Sequence, residues 1–412
     1  MRFNTRLLQG TNPFDTTGAT LPAVYQTSAF AHESAEQLEK VFAGKAPGFA
    51  YTRISNPTVM AFEKRIATLE GGVDAVACAS GMAAVSMALL NILESGDEII
   101  SSSALFGGTL DLLADFERFG IKTRFVKNMT AAEIAPQING CTKVIFAELF
   151  GNPRLDVVDL AEVSTLAKQH KIPLVIDSTT ATAALILPLA HGADIVVHSS
   201  SKYINGSGDA LSGIIVDGGK FAWDFERFSA LAGYQKMGKF AYTARLRGDL
   251  WRNFGPCIAP QNAYLNCLGL ETLGLRMERL CANALALAEF LETQSELAGV
   301  SYPGLASSPY KGFVDSQMEK GQGGAILTLR AGSKERAFRL VNALKIPKIA
   351  TNIGDVRTLV IHPASTIYLH SSEEKKSDAG VYDDMIRVSV GIEDIEDLIE
   401  DFGQAIESMK GE

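Results

Sequence analysis

From about residue 70 to 217, short apolar runs alternate with stretches of helical spacing, and this alternation limits the chain's folding options more than any other feature. Val76–Cys78, Glu98–Ser101, Thr123–Val126, Lys143–Ala147, Pro173–Ile176 and Ile195–Val197 read as strands, and Gly107–Arg118 and Leu160–His170 as helices between them. Nearly continuous apolar strands alternating with helices predict an α/β architecture, a mostly parallel sheet covered on both faces. Such a sheet binds ligands at the carboxyl ends of its strands.

Several chemically informative residues fall at those ends. Lys202 closes the run His198-Ser-Ser-Ser-Lys just after Ile195–Val197, and Asp177 follows Pro173–Ile176. Ser80-Gly81-Met82-Ala83 follows Val76–Cys78 and opens a helix, where free N–H groups and a side-chain-free glycine suit a phosphate. Each feature alone is most often an ordinary strand end. Together they are the parts that hold pyridoxal phosphate (PLP). The lysine amine condenses with the aldehyde, hydroxyls such as Ser199 and Ser201 bond the phosphate, and an aspartate keeps the ring nitrogen protonated.

Other segments leave two readings open. Tyr51 and Arg53, two apart in an extended stretch, point to one side and suit an anion, or they belong to a surface arm. Phe106, ahead of Gly107-Gly108, either lies flat on a planar cofactor or packs in the core. Arg387 sits in an apolar strand, paired either with a structural carboxylate or with a substrate's. Gly233 to Lys239 imitates a nucleotide-binding loop, but Phe240 replaces the hydroxyl that would hold magnesium and no strand precedes it. The 6 histidines show no metal spacing, so no metal is expected.

The chain has 412 residues, room for two or three domains. An aromatic, threonine- and glycine-rich stretch of weak periodicity over 1–50 predicts an extended arm. Residues 51–247 then form the large cofactor domain and 248–412 a smaller α+β domain. In the last, Leu280, Ala284, Leu287 and Leu291, and later Ile395, Leu398, Ile399, Phe402 and Ile406, follow helical spacing. Gly324–Thr328 and Ile386–Val390 read as strands between them. A net charge of −9 argues against a nucleic-acid partner. The 5 cysteines are scattered and odd in number, which favours reduced thiols in a cytoplasm over a disulfide framework. The opening MRFNTRLLQG lacks a signal-peptide core, and the uncharged stretch Ala75–Leu93 reads as a strand-turn-helix rather than a membrane span.

At this point the motifs resemble a known family. Tyr51-x-Arg53-x-x-Asn56-Pro57-Thr58, Ser80-Gly81-Met82-Ala83, Asp177-x-Thr179 and Ser199-x-Ser201-Lys202-Tyr203 are similar to those of the Cys/Met-metabolism family of PLP-dependent enzymes. Glu148-x-x-Gly151-Asn152-Pro153, Gly269-Leu-Glu271-Thr272, Leu275-Arg276-Met277-Glu278-Arg279 and Ile361-His362-Pro363-Ala364-Ser365-Thr366 resemble its O-acetylhomoserine sulfhydrylase group. The likeness covers nearly the whole chain. It implies fold type I, the aspartate-aminotransferase-like PLP-dependent transferase fold, and a homotetramer made of two catalytic dimers.

The resemblance also implies roles. Lys202 binds the aldehyde and shuttles protons, Asp177 pairs with the ring nitrogen, and Phe106 and Thr179 contact the cofactor. Ser80, Gly81, Met82, Ser199 and Ser201 hold the phosphate, which Tyr51 and Arg53 reach from a neighbouring subunit. Asn152 lies near the cofactor's phenolic oxygen and the substrate carboxylate, which Arg387 and the Thr358 region clamp, with Tyr51 also near substrate. The implied reaction converts O-acetyl-L-homoserine and sulfide to L-homocysteine and acetate. Alternatives within the family are a methionine γ-lyase, a cystathionine γ-synthase or an O-succinylhomoserine sulfhydrylase. Outside enzymology the alternative is a PLP-binding sulfur-relay protein. Sulfur arrives as sulfide, a small thiol or a thiocarboxylated carrier protein.

The chain departs from the family at Phe106, where tyrosine is usual, and at Ser178, Ala183 and Asn205–Gly208. Losing the phenol removes a proton donor. A thiol leaving group has a pKa of about 8.5 by analogy with cysteine, acetate about 4.3 by analogy with glutamate, so acetate needs that donor far less. Phe106 is therefore expected to disfavour thioether cleavage while leaving ester substitution feasible.

Overall fold

The computed structural model describes residues 1–9 and 18–410. Its central sheet has seven strands: β1 (Asp74–Cys78), β2 (Glu98–Ser102), β3 (Lys122–Val126), β4 (Thr142–Glu148), β5 (Leu174–Asp177), β6 (Ile195–His198) and β7 (Gly213–Asp217). They lie in the order β1-β7-β6-β5-β4-β2-β3. All neighbours from β6 to β3 run parallel, and only β7 is antiparallel to its neighbours β1 and β6. β7 is a strand the sequence pattern did not reveal; residues 199–212 connect it to β6 with no helix to cross the sheet face, and it runs the other way.

Alternate residues supply two cores. On β4, Ile145 and Ala147 enter one cluster and Val144 and Phe146 the other, which is why the strand reads as continuously apolar. The uncharged stretch after residue 75 is β1 followed by the helix Gly81–Leu90, and among the described residues no helix is long and apolar enough to cross a membrane.

A second sheet combines β8 (Gly299–Ser301), β9 (Ile326–Arg330), β10 (Lys348–Ile349), β11 (Leu359–Ile361) and β12 (Met385–Ser389), in the order β10-β11-β12-β9-β8. Only β10 and β11 are parallel. The helix Leu273–Glu292 bridges the two halves: Leu280 joins the large core, while Ala284, Leu287 and Leu291 join Leu398, Phe402 and Ile406 in the smaller one. Position 247 lies within the π turn Leu246–Leu250, with helix on both sides.

The N-terminal stretch is not extended throughout. Phe3–Leu8 is a helix whose Leu7 is buried and whose Leu7 carbonyl accepts a 2.6 Å hydrogen bond from Arg65. Ala35–Phe42 is a second helix, capped by the Ser34 side chain accepting from the Gln37 amide. None of its residues is buried within the chain. Six or eight residues are too few for periodicity to stand out against a polar background, and so both helices were missed.

Candidate active site

The parallel run of the sheet gathers the carboxyl ends of β2, β4, β5 and β6 on one edge, and β1 points the same way. A cavity of about 360 Å³ opens there. Ser80, Gly81 and Met82 enter it from β1, Phe106 from β2, Glu148 and Asn152 from β4, Asp177 and Thr179 from β5, and Ser199, Ser201 and Lys202 from β6. Arg387 reaches it from β12 of the smaller sheet. Eleven of the residues singled out from sequence are therefore brought together: Ser80, Gly81, Met82, Phe106, Asn152, Asp177, Thr179, Ser199, Ser201, Lys202 and Arg387.

One wall is built for close approach. Ser80 caps the helix Gly81–Leu90, its hydroxyl accepting from the Ala83 amide at 3.1 Å, which leaves the first amides of the helix to face the cavity. A Cβ at Gly81 would stand 2.5 Å from Ser199 Cβ, so only glycine lets the helix start meet the serine loop. The Ser199 amide donates to Thr179 Oγ1 at 2.8 Å, tying that loop to the end of β5. The Ser201 hydroxyl closes its own loop, donating to the Ser212 carbonyl at 2.9 Å and accepting from the Ser212 amide at 2.7 Å. It borders the cavity, but its proton is directed at Ser212.

Asp177 accepts from the Thr179 amide at 2.9 Å and keeps an open side toward the cavity. Burial raises its pKa, while Thr179 and the nearby His198 act against the rise. His198 lies deeper, with Nε2 2.7 Å from Glu70 Oε1; burial opposes its charge, but Glu70, joined by Asp177 and the Ser178 main chain, holds the imidazole pKa above its ordinary value.

Lys202 Nζ donates to Asn352 Oδ1 at 2.5 Å, and burial, then the positive charge of Arg387, lower its pKa. Its partner is an amide oxygen, so nothing stabilises the ammonium form as a carboxylate would. Arg387 is fully surrounded: Nη1 donates to Asn152 Oδ1 at 3.1 Å and Nη2 to the Thr351 and Asn352 carbonyls at 3.4 and 3.3 Å. Its Nε has no partner, and burial lowers its pKa to about 10. Among the described residues no carboxylate pairs with it, which removes the structural ion pair left open by the sequence.

Two expectations meet a different arrangement. Thr358 does not reach the cavity: its hydroxyl donates to Glu393 at 2.8 Å and accepts from the Gly391 amide at 2.9 Å, and Thr351 takes the place at the wall. The loop after β10 turns back before β11, so residues near Thr351 face the site while Thr358 faces Glu393. Tyr51 and Arg53 also lie off the cavity. Tyr51 is exposed, the Arg53 guanidinium sits 5.5 Å from its ring centroid, and Arg53 donates to the Arg252 carbonyl at 2.5 Å.

Sequence reasoning missed Asn352, Thr351 and Ile367, which lie in a loop or a long cover segment without periodicity. Glu148, within the Glu148-x-x-Gly151-Asn152-Pro153 motif, carries no role implied by the resemblance. The Glu148 side chain accepts from the Phe106 amide at 2.7 Å.

A cradle that a single methyl group would fill, a lysine amine without a carboxylate, an aspartate open to the cavity and an uncompensated arginine fit PLP and an amino-acid carboxylate together. The family model for Cys/Met metabolism PLP-dependent enzymes matches residues 4–407. The chain belongs to that family. PLP is accordingly its cofactor, and its architecture is the PLP-dependent transferase fold. The chain is 39% identical to an O-acetyl-L-homoserine sulfhydrylase of Leptospira meyeri over 97% of this chain and 95% of that protein. It is 38% identical to O-acetyl-L-homoserine sulfhydrylase 1 of Thermus thermophilus, over 98% of this chain and all 100% of the relative. A crystal structure of an O-acetylhomoserine (thiol)-lyase from Campylobacter jejuni subsp. jejuni, which carries N'-pyridoxyl-lysine-5'-monophosphate, superposes with a TM-score of 0.95 at 35% identity, covering 99% of this chain and 100% of that one.

Proposed function

We propose that this enzyme carries out γ-replacement on O-acetyl-L-homoserine, exchanging acetate for sulfide to give L-homocysteine. The observation that carries the reading is Arg387, a buried guanidinium with no carboxylate partner among the described residues, held by Asn152 in the same cavity as Asp177 and Lys202. It suits the α-carboxylate of an amino-acid substrate. Among the described residues of one chain, Arg387 and Lys202 are the only cationic side chains that line the cavity. With one committed to the α-carboxylate and the other to the cofactor, a succinyl ester's second carboxylate would go unpaired, at a cost that favours acetyl.

PLP, when bound, supplies the aldehyde that takes the substrate amine and the electron sink that makes loss of the α-proton feasible. The residues do the rest. Ser80, Gly81, Met82, Ser199 and Ser201 would hold the cofactor's phosphate, Thr179 and Asp177 would orient its ring, and Phe106 would stack on it. Lys202, kept low in pKa by its surroundings, is the base at Cα and carries a proton at Cβ as acetate leaves Cγ. Val85, Phe150, Ile353 and Ile367 give the cavity apolar walls that would limit water at the reacting carbons. Tyr51 and Arg53 serve the phosphate of a neighbouring subunit, with Tyr51 also near its substrate. This arrangement supports a catalytic dimer and, from two of these, a tetramer with 1–50 as arm, 51–247 as cofactor domain and 248–412 as the smaller domain. The 5 cysteines, all free, favour a cytoplasmic setting.

The test is to incubate the holoenzyme with O-acetyl- or O-succinyl-L-homoserine and, in turn, sulfide, methanethiol, cysteine or a thiocarboxylated carrier protein, and to weigh the products. Homocysteine from the acetyl ester and sulfide is expected. Product from the succinyl ester alone, or elimination from methionine without any replacement, overturns the proposal.

A further inference from the structure

Glu148 and Asp177 end adjacent parallel strands and stand in register, so their side chains project to the same side of the sheet, and both line the cavity. Two neighbouring carboxylates in a water-poor site cannot both ionise cheaply. Their surroundings are unequal. Asp177 has the Thr179 amide and the His198 imidazole in its favour. Glu148 has the Phe106 amide and main chain near Asn152, but also the charges of Asp177 and Asp156 against it.

The remaining groups around Glu148 do not reverse this. Arg387, from β12, is engaged by Asn152 and two carbonyls; Lys202, after β6, is engaged by Asn352. Tyr368, from the segment covering the site, donates to the Leu105 and Asn152 carbonyls. Among the described residues Glu148 makes no ion pair.

We infer that Glu148 is a positioning residue that works as a neutral carboxylic acid, fixing the Phe106 main chain at the cofactor's face while the negative charge of the pair stays on Asp177. Burial and the charge of Asp177 hold the Glu148 pKa well above the ordinary carboxylate range, which agrees with this geometry. An ionised Glu148 would compete with Asp177 for the ring nitrogen's proton. The inference rests on the cofactor reading of the cavity, while the protonation state of Glu148 is measurable without turnover.

Glu148→Gln keeps the acceptor for the Phe106 amide and removes only the titration. In the unfolded wild-type chain Glu148 loses its proton near about 4.3, whereas in the fold it keeps it. The unfolded state therefore binds fewer protons, and stability is lost as pH rises from that value toward the raised one of the folded enzyme. E148Q has no such loss. Melting temperatures of the two holoenzymes, compared across about pH 5–8, are expected to diverge in favour of E148Q by about 1–2 °C per pH unit. A merely structural role would produce a constant offset. A constant offset, or divergence in favour of wild type, overturns the inference. Should E148Q not fold, wild-type holoenzyme labelled with carbon-13 glutamate should show a protonated-carboxyl infrared band at neutral pH, and its absence overturns the inference equally.

Discussion

Lys202 owes its reactivity to what does not surround it. An amine facing an amide oxygen, close to a guanidinium and away from water, gives up its proton more readily than a surface lysine. Phe106 is the other residue at which chemistry is decided locally. Its ring lines the cavity, and its amide is fixed by Glu148, so a hydroxyl added there would point from a held backbone. Phe106→Tyr is expected to raise γ-elimination from methionine by about 100-fold or more, the low end of the range for general acids, and to change acetyl displacement much less. Equal changes in both rates, measured on the same preparation, would sink the leaving-group argument.

The decisive element is the start of the helix Gly81–Leu90. Its capped first turn offers amides to an anion, and the absent Cβ of Gly81 lets the Ser199 loop come close. Gly81→Ala forces a methyl group to 2.5 Å from Ser199 Cβ and 2.9 Å from Ser199 Cα, and the latter is backbone that cannot swing aside. Overpacking of this kind costs about 1–3 kcal/mol. If the strain is relieved by spreading the cradle, PLP affinity should fall by about 5- to 150-fold. Equilibrium titration of the stripped protein with PLP measures this directly, and unchanged affinity would remove Gly81 from the phosphate cradle.

At the scale of the whole molecule, the stretch around Tyr51 is the feature a single chain leaves unexplained. Val24, Tyr25, Phe42 and Tyr51 are exposed apolar or aromatic side chains on one continuous stretch, and the helix Ala35–Phe42 buries none of its residues. The proposed arm, completing a neighbour's site, would account for them. Lys202→Ala and Arg53→Ala should each be inactive or nearly so alone. Unfolded together and reassembled, they should recover about a quarter of wild-type activity, because half of the dimers are hybrids with one intact site of two. No recovery, from mixtures that do exchange subunits, would place Arg53 and Lys202 of one and the same chain in a single site and overturn the arm.

Strand-helix alternation, the glycine-opened helix and the serine-lysine run were legible in the sequence because each is local: period, cap and spacing are written within a few residues of one another. From them the α/β sheet, the edge that binds ligand, Asp177 and Lys202 could be read directly. Family resemblance added the implied role of Arg387. Only the tertiary structure decided which distant groups meet: that Arg387 has no carboxylate, that Asn352 rather than an acid faces Lys202, that Thr351 stands where Thr358 was expected, and that Glu148 lies in register with Asp177. The physical reason is common to all four. Charge state and hydrogen-bond partner depend on distances of a few ångströms between segments far apart in the chain, and no local pattern encodes those distances.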